Sequence, residues 1–353
     1  MPRAPSPLAR YGAIAGSDSW LRYAWTTRDD RVPVAADALP YPRRERALLD
    51  RGGRVLAVPR EAAVSLLGDE PLLLRLARAP RFATSDALGN PGDRPLAMRW
   101  RLPASGRTGT AFLAPHASVV GFGPDASWVT ATTVRRGGGV DTNLAPVDRL
   151  ERVSTSGQRI DLGIPFPEGA PYTVITGESG VVAYSTAGDG GDHPPDGRIR
   201  FRAWEGGAWR TLNPGDPPQG EITCSTASAR LLACDAVGAD RRRRALVLRL
   251  PGGTRAVLAP PPGVPQSCAT TQVATAEGFL GITQGFRIDG RACPAGRLSQ
   301  RSAVGATTLS DRVYDPFHAP VLAFGRIVVA ERREHRLLAL ETVDGEPQVL
   351  VGR

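Results

Sequence analysis

The alternation of apolar and polar residues along the chain predicts a series of β-hairpins. Six segments share one pattern, in which an alternating strand is followed by a glycine-containing turn and by a second strand that ends on an apolar residue. These segments begin at Leu96, Arg149, Arg198, Arg244, Arg297 and Arg336. Their turn glycines are 40 to 53 residues apart: Gly106, Gly157, Gly206, Gly252, Gly305 and Gly345. Such a regular period indicates a fold built from similar units.

A second hairpin, more uniformly apolar, precedes each of the last five segments, as in YTVITGESGVVAYSTA from Tyr172. Strands that are apolar on both faces are typical of the interior of a propeller blade, whereas alternating strands have one face in solvent. One inner and one outer hairpin then make a blade. We therefore predict an all-β fold, a β-propeller of about six four-stranded blades. A two-sheet sandwich or a pair of barrels is the alternative.

The expected blades follow directly from this register. They cover about residues 117–163, 170–213, 219–258, 266–311 and 319–351, with an earlier one ending near Leu113. With this period and strand pattern, the chain resembles the β-propeller superfamily, loosely the TolB-like or kelch-like bacterial propellers, over roughly residues 80–353. It carries no Trp-Asp, YWTD, kelch or sialidase-type motif, so the resemblance implies a fold and no catalytic residue.

The first 80 residues do not follow the repeat. They are expected to form an irregular segment or a divergent first blade, with a short helix at 43–50, a strand at 54–58 and a helix begun by Pro59 or Glu70. The predicted organisation is an N-terminal segment over 1–80 and a β-propeller over 81–353.

The long connections between hairpins supply the candidate binding residues. Connections that are extended where tight turns would suffice are where binding groups usually lie, and in a propeller they share one face. We predict a ligand site at this long-loop face, for an anionic sugar or a peptide, although a solvated polar rim has the same composition. The candidate residues are Arg135, Arg136, Asp141, Asp189, Asp192, His193, Asp289, Asp315, His318 and His335.

The net charge of +9 does not by itself indicate nucleic acid, because the arginines are scattered along the chain and no lysine is present. No apolar run is long enough for a membrane span. No metal or cofactor site is expected, since the sequence has no Cys-x2-Cys pair and the four histidines are far apart. The serine-hydrolase motif G-x-S-x-G is also absent.

The four cysteines indicate two disulfides. Cys224 and Cys234 are equidistant from Ala229 at the centre of a hairpin turn, which places them opposite one another. Cys268 and Cys293 form the second expected pair. Four buried free thiols are the alternative. Disulfides favour an extracytoplasmic location, although the N-terminus does not have the pattern of a signal peptide.

Two functions fit these observations. The first is a non-catalytic binding or scaffold propeller that engages a protein or glycan through its long-loop face. The second is a carbohydrate-active hydrolase or lyase that uses carboxylates at the central channel.

Overall fold

The computed structural model describes the strands and the shorter connections of the chain. The described residues are 10–26, 44–59, 62–77, 88–133, 147–166, 172–177, 180–185, 200–212, 221–225, 231–237, 243–249, 255–258, 260, 261, 263–265, 268, 270–275, 278–283, 293–302, 305–315, 318–331, 336–340 and 347–352. They contain strands and no helix, so none of them forms a helix able to span a membrane.

The chain is an all-β protein of the β-propeller type, with seven four-stranded sheets that we call blades 1 to 7. In every sheet the four strands are consecutive in the chain, so no blade combines strands from distant parts of the sequence. The strand pairs in blades 1 to 5 and 7 are antiparallel. The predicted fold class is therefore confirmed, and the number of blades is one more than expected.

One compact unit contains blades 1 and 7 and most of blade 6, and is formed by Met1–Arg60, Pro260–Val273 and Phe279–Arg353. Its strands are β1 Arg10–Gly16, β2 Trp20–Thr26, β3 Arg44–Asp50 and β4 Val55–Val58 in blade 1; β21 Thr270–Ala274, β22 Gly278–Thr283, β23 Arg297–Ser302 and β24 Gly305–Val313 in blade 6; and β25 Val321–Ala323, β26 Arg326–Ala330, β27 Leu337–Leu340 and β28 Gln348–Val351 in blade 7.

The other compact unit, Glu61–Ala259 with Ala274–Gly278, contains blades 2 to 5. Its strands are β5 Ala62–Ser65, β6 Leu72–Leu76, β7 Leu96–Arg101 and β8 Thr108–Leu113 in blade 2; β9 Ala117–Gly123, β10 Ser127–Thr133, β11 Val147–Ser154 and β12 Arg159–Asp161 in blade 3; β13 Tyr172–Gly177, β14 Gly180–Ser185, β15 Phe201–Glu205 and β16 Ala208–Leu212 in blade 4; and β17 Glu221–Ser225, β18 Leu231–Val237, β19 Arg243–Arg249 and β20 Arg255–Leu258 in blade 5.

Burial across a blade follows the predicted division into inner and outer hairpins. All six residues of β22 are buried, as are five of the six in β14, whereas all three residues of β12 are exposed. The second strand of a blade is covered on both faces and is therefore uniformly apolar. The turn glycines Gly157 and Gly206 have φ of 86° and 59°, values that favour glycine in a tight turn, whereas Gly252 lies outside the described residues.

In the N-terminal part of the chain the strand expected at 54–58 is present as β4, whereas the two expected helices are not found among the described residues. Residues 44–50 form strand β3 and not the predicted helix, because they pair with β2 on one side and β4 on the other. No helix begins at Pro59 or Glu70, since β5 and β6 cover residues 62–65 and 72–76 instead. Pairing with neighbouring strands overrides a weak helix preference of this kind. Residues 10–58 thus supply a complete four-stranded blade, which explains the miscount.

Both predicted disulfides are present. Cys224 and Cys234 are register partners on β17 and β18, with their Cα atoms 3.9 Å apart. Cys268 and Cys293 join the connection before β21 to the connection before β23, with a Cα distance of 5.7 Å, and pack with Val264. The alternative of four free thiols is wrong, since no cysteine is free.

Candidate functional site at the long-loop ends of the blades

The connections at the two ends of a blade differ in length. The turns within hairpins are short, as at 17–19, 124–126, 206–207 and 324–325. The connections between the second and third strands are longer, notably 27–43, 77–95, 134–146, 186–200 and 284–296. In a meander of antiparallel strands these connections leave from the same end of the sheet as the connection to the next blade. We call this end the long-loop end of the blade.

Most of the predicted site residues belong to these connections but lie outside the described part of the structure, and their role stays a prediction. They are Arg135, Arg136, Asp141, Asp189, Asp192, His193, Asp289 and His335. The structure therefore places two of the candidates, Asp315 and His318, both on the connection 314–320 that leads into blade 7.

Asp315 and His318 contact one another. His318 Nδ1 lies 3.2 Å from Asp315 Oδ2, and the two side chains are 32% and 18% exposed. The backbone N–H of Asp315 donates to the carbonyl of Ala330 at 2.9 Å, which fixes the start of this connection on β26. The preceding Tyr314 is buried. The carboxylate and the imidazole are thus held in place and remain partly exposed.

The His318 ring packs on the backbone of the first blade. A Cβ atom placed on Gly12 would lie 2.1 Å from His318 Cδ2, so any other residue at this point of β1 would force the ring to move. The backbone N–H of Phe324 also donates to the carbonyl of Ser17 at 2.9 Å. Side chains of blades 1 and 7 share one buried apolar cluster, which includes Leu21 and Val328. The first and last blades therefore contact each other through packing and a backbone hydrogen bond, without exchanging a strand.

Three aromatic residues occupy the long-loop end of blade 1, beside Gly12. Tyr11 pairs with Trp25 in the register of β1 and β2, and the ring centroids of Tyr23 and Trp25 are 5.6 Å apart. Burial raises the pKa of Tyr23 to about 12, with a smaller contribution from the neighbouring Tyr11. Burial also raises the pKa of Tyr11. Both phenols therefore stay protonated near neutral pH and can serve as hydrogen-bond donors.

A second pair of histidine and aspartate lies at the long-loop ends of blades 2 and 3. His116 Nε2 is 2.9 Å from Asp93 Oδ1. The buried Asn90 holds this region together, because its side-chain amide donates to the carbonyls of Arg94, Leu113 and Ala114. Sequence reasoning did not include His116 among the candidates. A signal was present, since both His116 and His318 are followed by alanine shortly before the first strand of a blade.

The first strand of each blade, which lines the interior of a propeller, is almost without charge. Among the described first strands β1, β5, β9, β13, β17, β21 and β25, the charged residues are Arg10 and Glu221, each at the first position of its strand. Charged groups belong mainly to the outer strands and the connections. In the described part of the chain, no group of three or more His, Cys, Asp or Glu side chains is placed to hold a metal ion.

Comparison with known proteins identifies the fold and no family. No protein-family model matches the chain, and no curated protein sequence matches it. Among solved structures it is similar to the acylaminoacyl peptidase of Pyrococcus horikoshii, with a TM-score of 0.55 and 9% identity over 98% of this chain and 52% of that one. It is also similar to the β-propeller domain of the Trilobed protease from Pyrococcus furiosus, with a TM-score of 0.52 and 8% identity over 97% of this chain and 95% of that domain.

A third similar structure is TolB from Acinetobacter baumannii, at a TM-score of 0.39 and 10% identity, over 96% of this chain and 82% of that one. The chain spans about half the length of the peptidase from P. horikoshii. The likeness to the two Pyrococcus structures, at TM-scores of 0.55 and 0.52, shows a shared propeller fold and nothing of what the chain binds.

Proposed function

We propose that this propeller is a non-catalytic binding module that engages a protein or glycan through the long-loop ends of its blades. The observation that carries the proposal is the difference between the two ends of the blades. Five connections between second and third strands are long, at 27–43, 77–95, 134–146, 186–200 and 284–296, whereas the turns within hairpins contain two to seven residues. Extra chain length concentrated at one end of a rigid scaffold is typical of a binding surface.

The described groups at these ends suit recognition better than catalysis. His318 beside Asp315, and His116 beside Asp93, combine a donor with an acceptor on a fixed backbone. The first strands of the blades supply almost no charge, so a carbohydrate-active site at the channel would have to draw its carboxylates from the connections. The likeness to peptidase chains concerns the fold alone, and no peptidase activity is proposed.

We further propose that the protein works outside the cytoplasm. Two disulfides, Cys224–Cys234 and Cys268–Cys293, are typical of an oxidising compartment. Glycans and exposed peptide segments of surface proteins are common partners in that setting, which agrees with the binding proposal.

The test is a comparison of variants on glycan and peptide arrays. The long-loop variants are R135S/R136S and H318Q, and the charge-matched control is R51S/R54S, at the hairpin turn that joins β3 to β4. We expect the unmodified protein to bind a defined subset of glycans or peptides, the long-loop variants to lose it, and the control to retain it. Equal loss of binding in the long-loop variants and in the control, or binding of the unmodified protein to none of the probes, would contradict the proposal. Release of shortened glycans from the array would favour the enzyme alternative instead.

A further inference from the structure

One face of blade 2 carries three arginines in register. Strand β7 alternates between buried Met98 and Trp100 on one face and exposed Arg99 and Arg101 on the other. Arg75 on β6 is the direct register partner of Arg99. Residues directly opposite on antiparallel strands share a face, so the three guanidinium groups belong to one side of the sheet. We call this surface the arginine face of blade 2.

Among the described residues, the arginines on this face have no acidic partner. Within the described residues, the side chains of Arg75, Arg99 and Arg101 make no ion pair, in contrast to Arg149 and Arg159 of blade 3, which both bind Glu151. Like charges directly opposite across strands destabilise a sheet. The fold itself is therefore made less stable by this arrangement, which points to a ligand that supplies the missing negative charge.

The outer strand of the blade adds complementary groups to the same face. Thr110 pairs with Arg99, and Thr108 pairs with Arg101, and both threonines are exposed. Phe112, two residues further along β8, is 60% exposed, the most exposed large hydrophobic side chain among the described residues. Arg159 Nη2 donates to the carbonyl of Phe112 at 3.1 Å and fixes the strand there. The face thus combines guanidinium groups, hydroxyls and an aromatic ring.

From this combination we infer that the arginine face of blade 2 binds an acidic polysaccharide. The planar fork of arginine matches carboxylate and sulfate groups, which it can bind through two parallel hydrogen bonds. The threonine hydroxyls can bond to sugar hydroxyls, and the ring of Phe112 offers an apolar surface to the C–H face of a sugar. The two disulfides favour an acidic glycan over nucleic acid as the occupant.

This surface is separate from the long-loop ends proposed above as the principal binding region. It is formed by the strands β6, β7 and β8 themselves, so its residues are positioned by the sheet. A defect confined to this face should leave recognition at the long-loop ends unchanged, and the two proposals can fail independently.

The experiment measures binding of the whole protein to heparin and to polygalacturonate by titration calorimetry at about 50 mM NaCl, where charge interactions are weakly screened. The test variant is R99Q/R101Q. The control is R210Q/R249Q, which removes two exposed arginines from β16 and β19. We expect the test variant to bind at least one of the two polymers about tenfold more weakly for each arginine lost. The control should change affinity by no more than about twofold.

A second readout separates a binding role from a purely structural one. Because Arg75 opposes Arg99 directly, R75Q should raise the thermal midpoint of the free protein while weakening its binding to the polysaccharide. Variant F112S should weaken binding several-fold and leave the salt dependence of binding unchanged, since it removes no charge.

Several results would overturn the inference. Equal weakening by R99Q/R101Q and R210Q/R249Q would indicate general attraction to a basic protein. The absence of binding to either polymer would also contradict the inference. Tighter binding of single-stranded DNA than of both polymers would assign the face to nucleic acid.

Discussion

Single side chains of this protein are constrained most where a backbone approaches them closely. Gly12 is one such case, because an added Cβ atom would lie 2.1 Å from the ring of His318. The variant G12A should cost about 1–3 kcal/mol in free energy of unfolding, as expected for an overpacked site. Urea denaturation measures it. In the double variant G12A/H318A most of the lost stability should be regained, because the shared contact couples the two positions.

A glycine without such a contact provides the control for this change. Gly92 has no neighbour closer than 3.5 Å to an added Cβ atom, so G92A should leave the stability nearly unchanged. Strictly additive effects of G12A and H318A on the free energy of unfolding would show that the His318 ring does not cause the destabilisation by G12A.

The buried carboxylate of Glu151 provides a second prediction. Its Oε1 is 2.9 Å from Arg149 Nη2 and its Oε2 is 3.1 Å from Arg159 Nη1. E151Q should lower the free energy of unfolding by about 1–3 kcal/mol, because two charge-assisted hydrogen bonds are weakened at a buried site. The matched variant D161N removes an exposed carboxylate 3.6 Å from Arg149 and should change the free energy of unfolding by less than about 0.5 kcal/mol. Similar losses in the two variants would contradict this account.

The hairpin turn of blade 3 makes a pH-dependent contribution to the stability of the fold. Burial alone would raise the pKa of Asp125, but hydrogen bonds from Arg152 and Ser127, together with the charge of Arg152, lower it overall. A carboxyl group with a lowered pKa stabilises the fold above its unfolded value of about 3.9, and this stabilisation is lost as the pH falls through the folded pKa. D125N should therefore be less stable than the natural protein at pH 7, and the difference should shrink below about pH 4.

Denaturation midpoints between pH 7 and pH 3 measure this difference. The exposed Asp69 supplies the control, since D69N should shift the midpoint by a small amount at every pH. A D125N effect that does not change with pH would mean that the charge of the carboxylate is unimportant.

Few of these residue-level relations could be predicted from sequence. The pairing of Cys224 with Cys234 could, because symmetry about a turn fixes the register of a hairpin. The contact of His318 with Gly12 could not, since it joins positions about 300 residues apart. The arginines of blade 2 looked like a compositional feature. Their common face depends on the register of β6 against β7, which the alternation of apolar and polar residues does not reveal.

At the scale of elements, hairpins with strong alternation of apolar and polar residues and a glycine turn were predictable. Hairpins that lack these two features were not. Strand β1, RYGAIAG, is rich in small residues and has no alternation, and β3, RERALLD, is composed of residues that favour helices. Both became strands because neighbouring strands pair with them. Blade 2 was recognisable from its outer hairpin alone, since its inner strands β5 and β6 are only four and five residues long.

The two disulfides should contribute unequally to stability. Cys268–Cys293 closes a separation of 25 residues and Cys224–Cys234 one of 10. In the chain-entropy model the longer closure contributes about 3.5 kcal/mol and the shorter about 2.7 kcal/mol. We expect C268A/C293A to lower the unfolding midpoint more than C224A/C234A. Titration of the denatured protein should find no free thiol before reduction; two reactive thiols would contradict one pairing, and four would contradict both.

At the scale of the whole molecule, the contact between blades 1 and 7 joins parts of the chain that are about 300 residues apart. An added Cβ on Gly16 would lie 2.0 Å from the backbone carbonyl of Leu322, which cannot move aside as a side chain can. G16V should therefore loosen this contact locally. Hydrogen exchange should accelerate in residues 10–26 and 321–330 and stay unchanged in 172–185. Uniform acceleration across all blades would show that the contact controls the stability of the entire fold.

The fold class was predictable from the period of the pattern, because a repeat of about 50 residues with paired hairpins suits a propeller better than a sandwich. The number of blades was not, since counting required the irregular first 80 residues to be assigned to strands. The candidate site could be located only at the level of connections, because which side chains converge depends on packing between loops.

Because every blade consists of four consecutive strands, each sheet is complete once its own stretch of chain has left the ribosome. Pairing then needs only local contacts, which form quickly. The surface of blade 1 that packs on blade 7 differs, because it includes Leu21 and Tyr23. More than 290 further residues must be synthesised before Val321 and Val328 can cover this surface. During that interval the emerging protein presents an apolar surface, and exposed apolar surface of this kind favours aggregation.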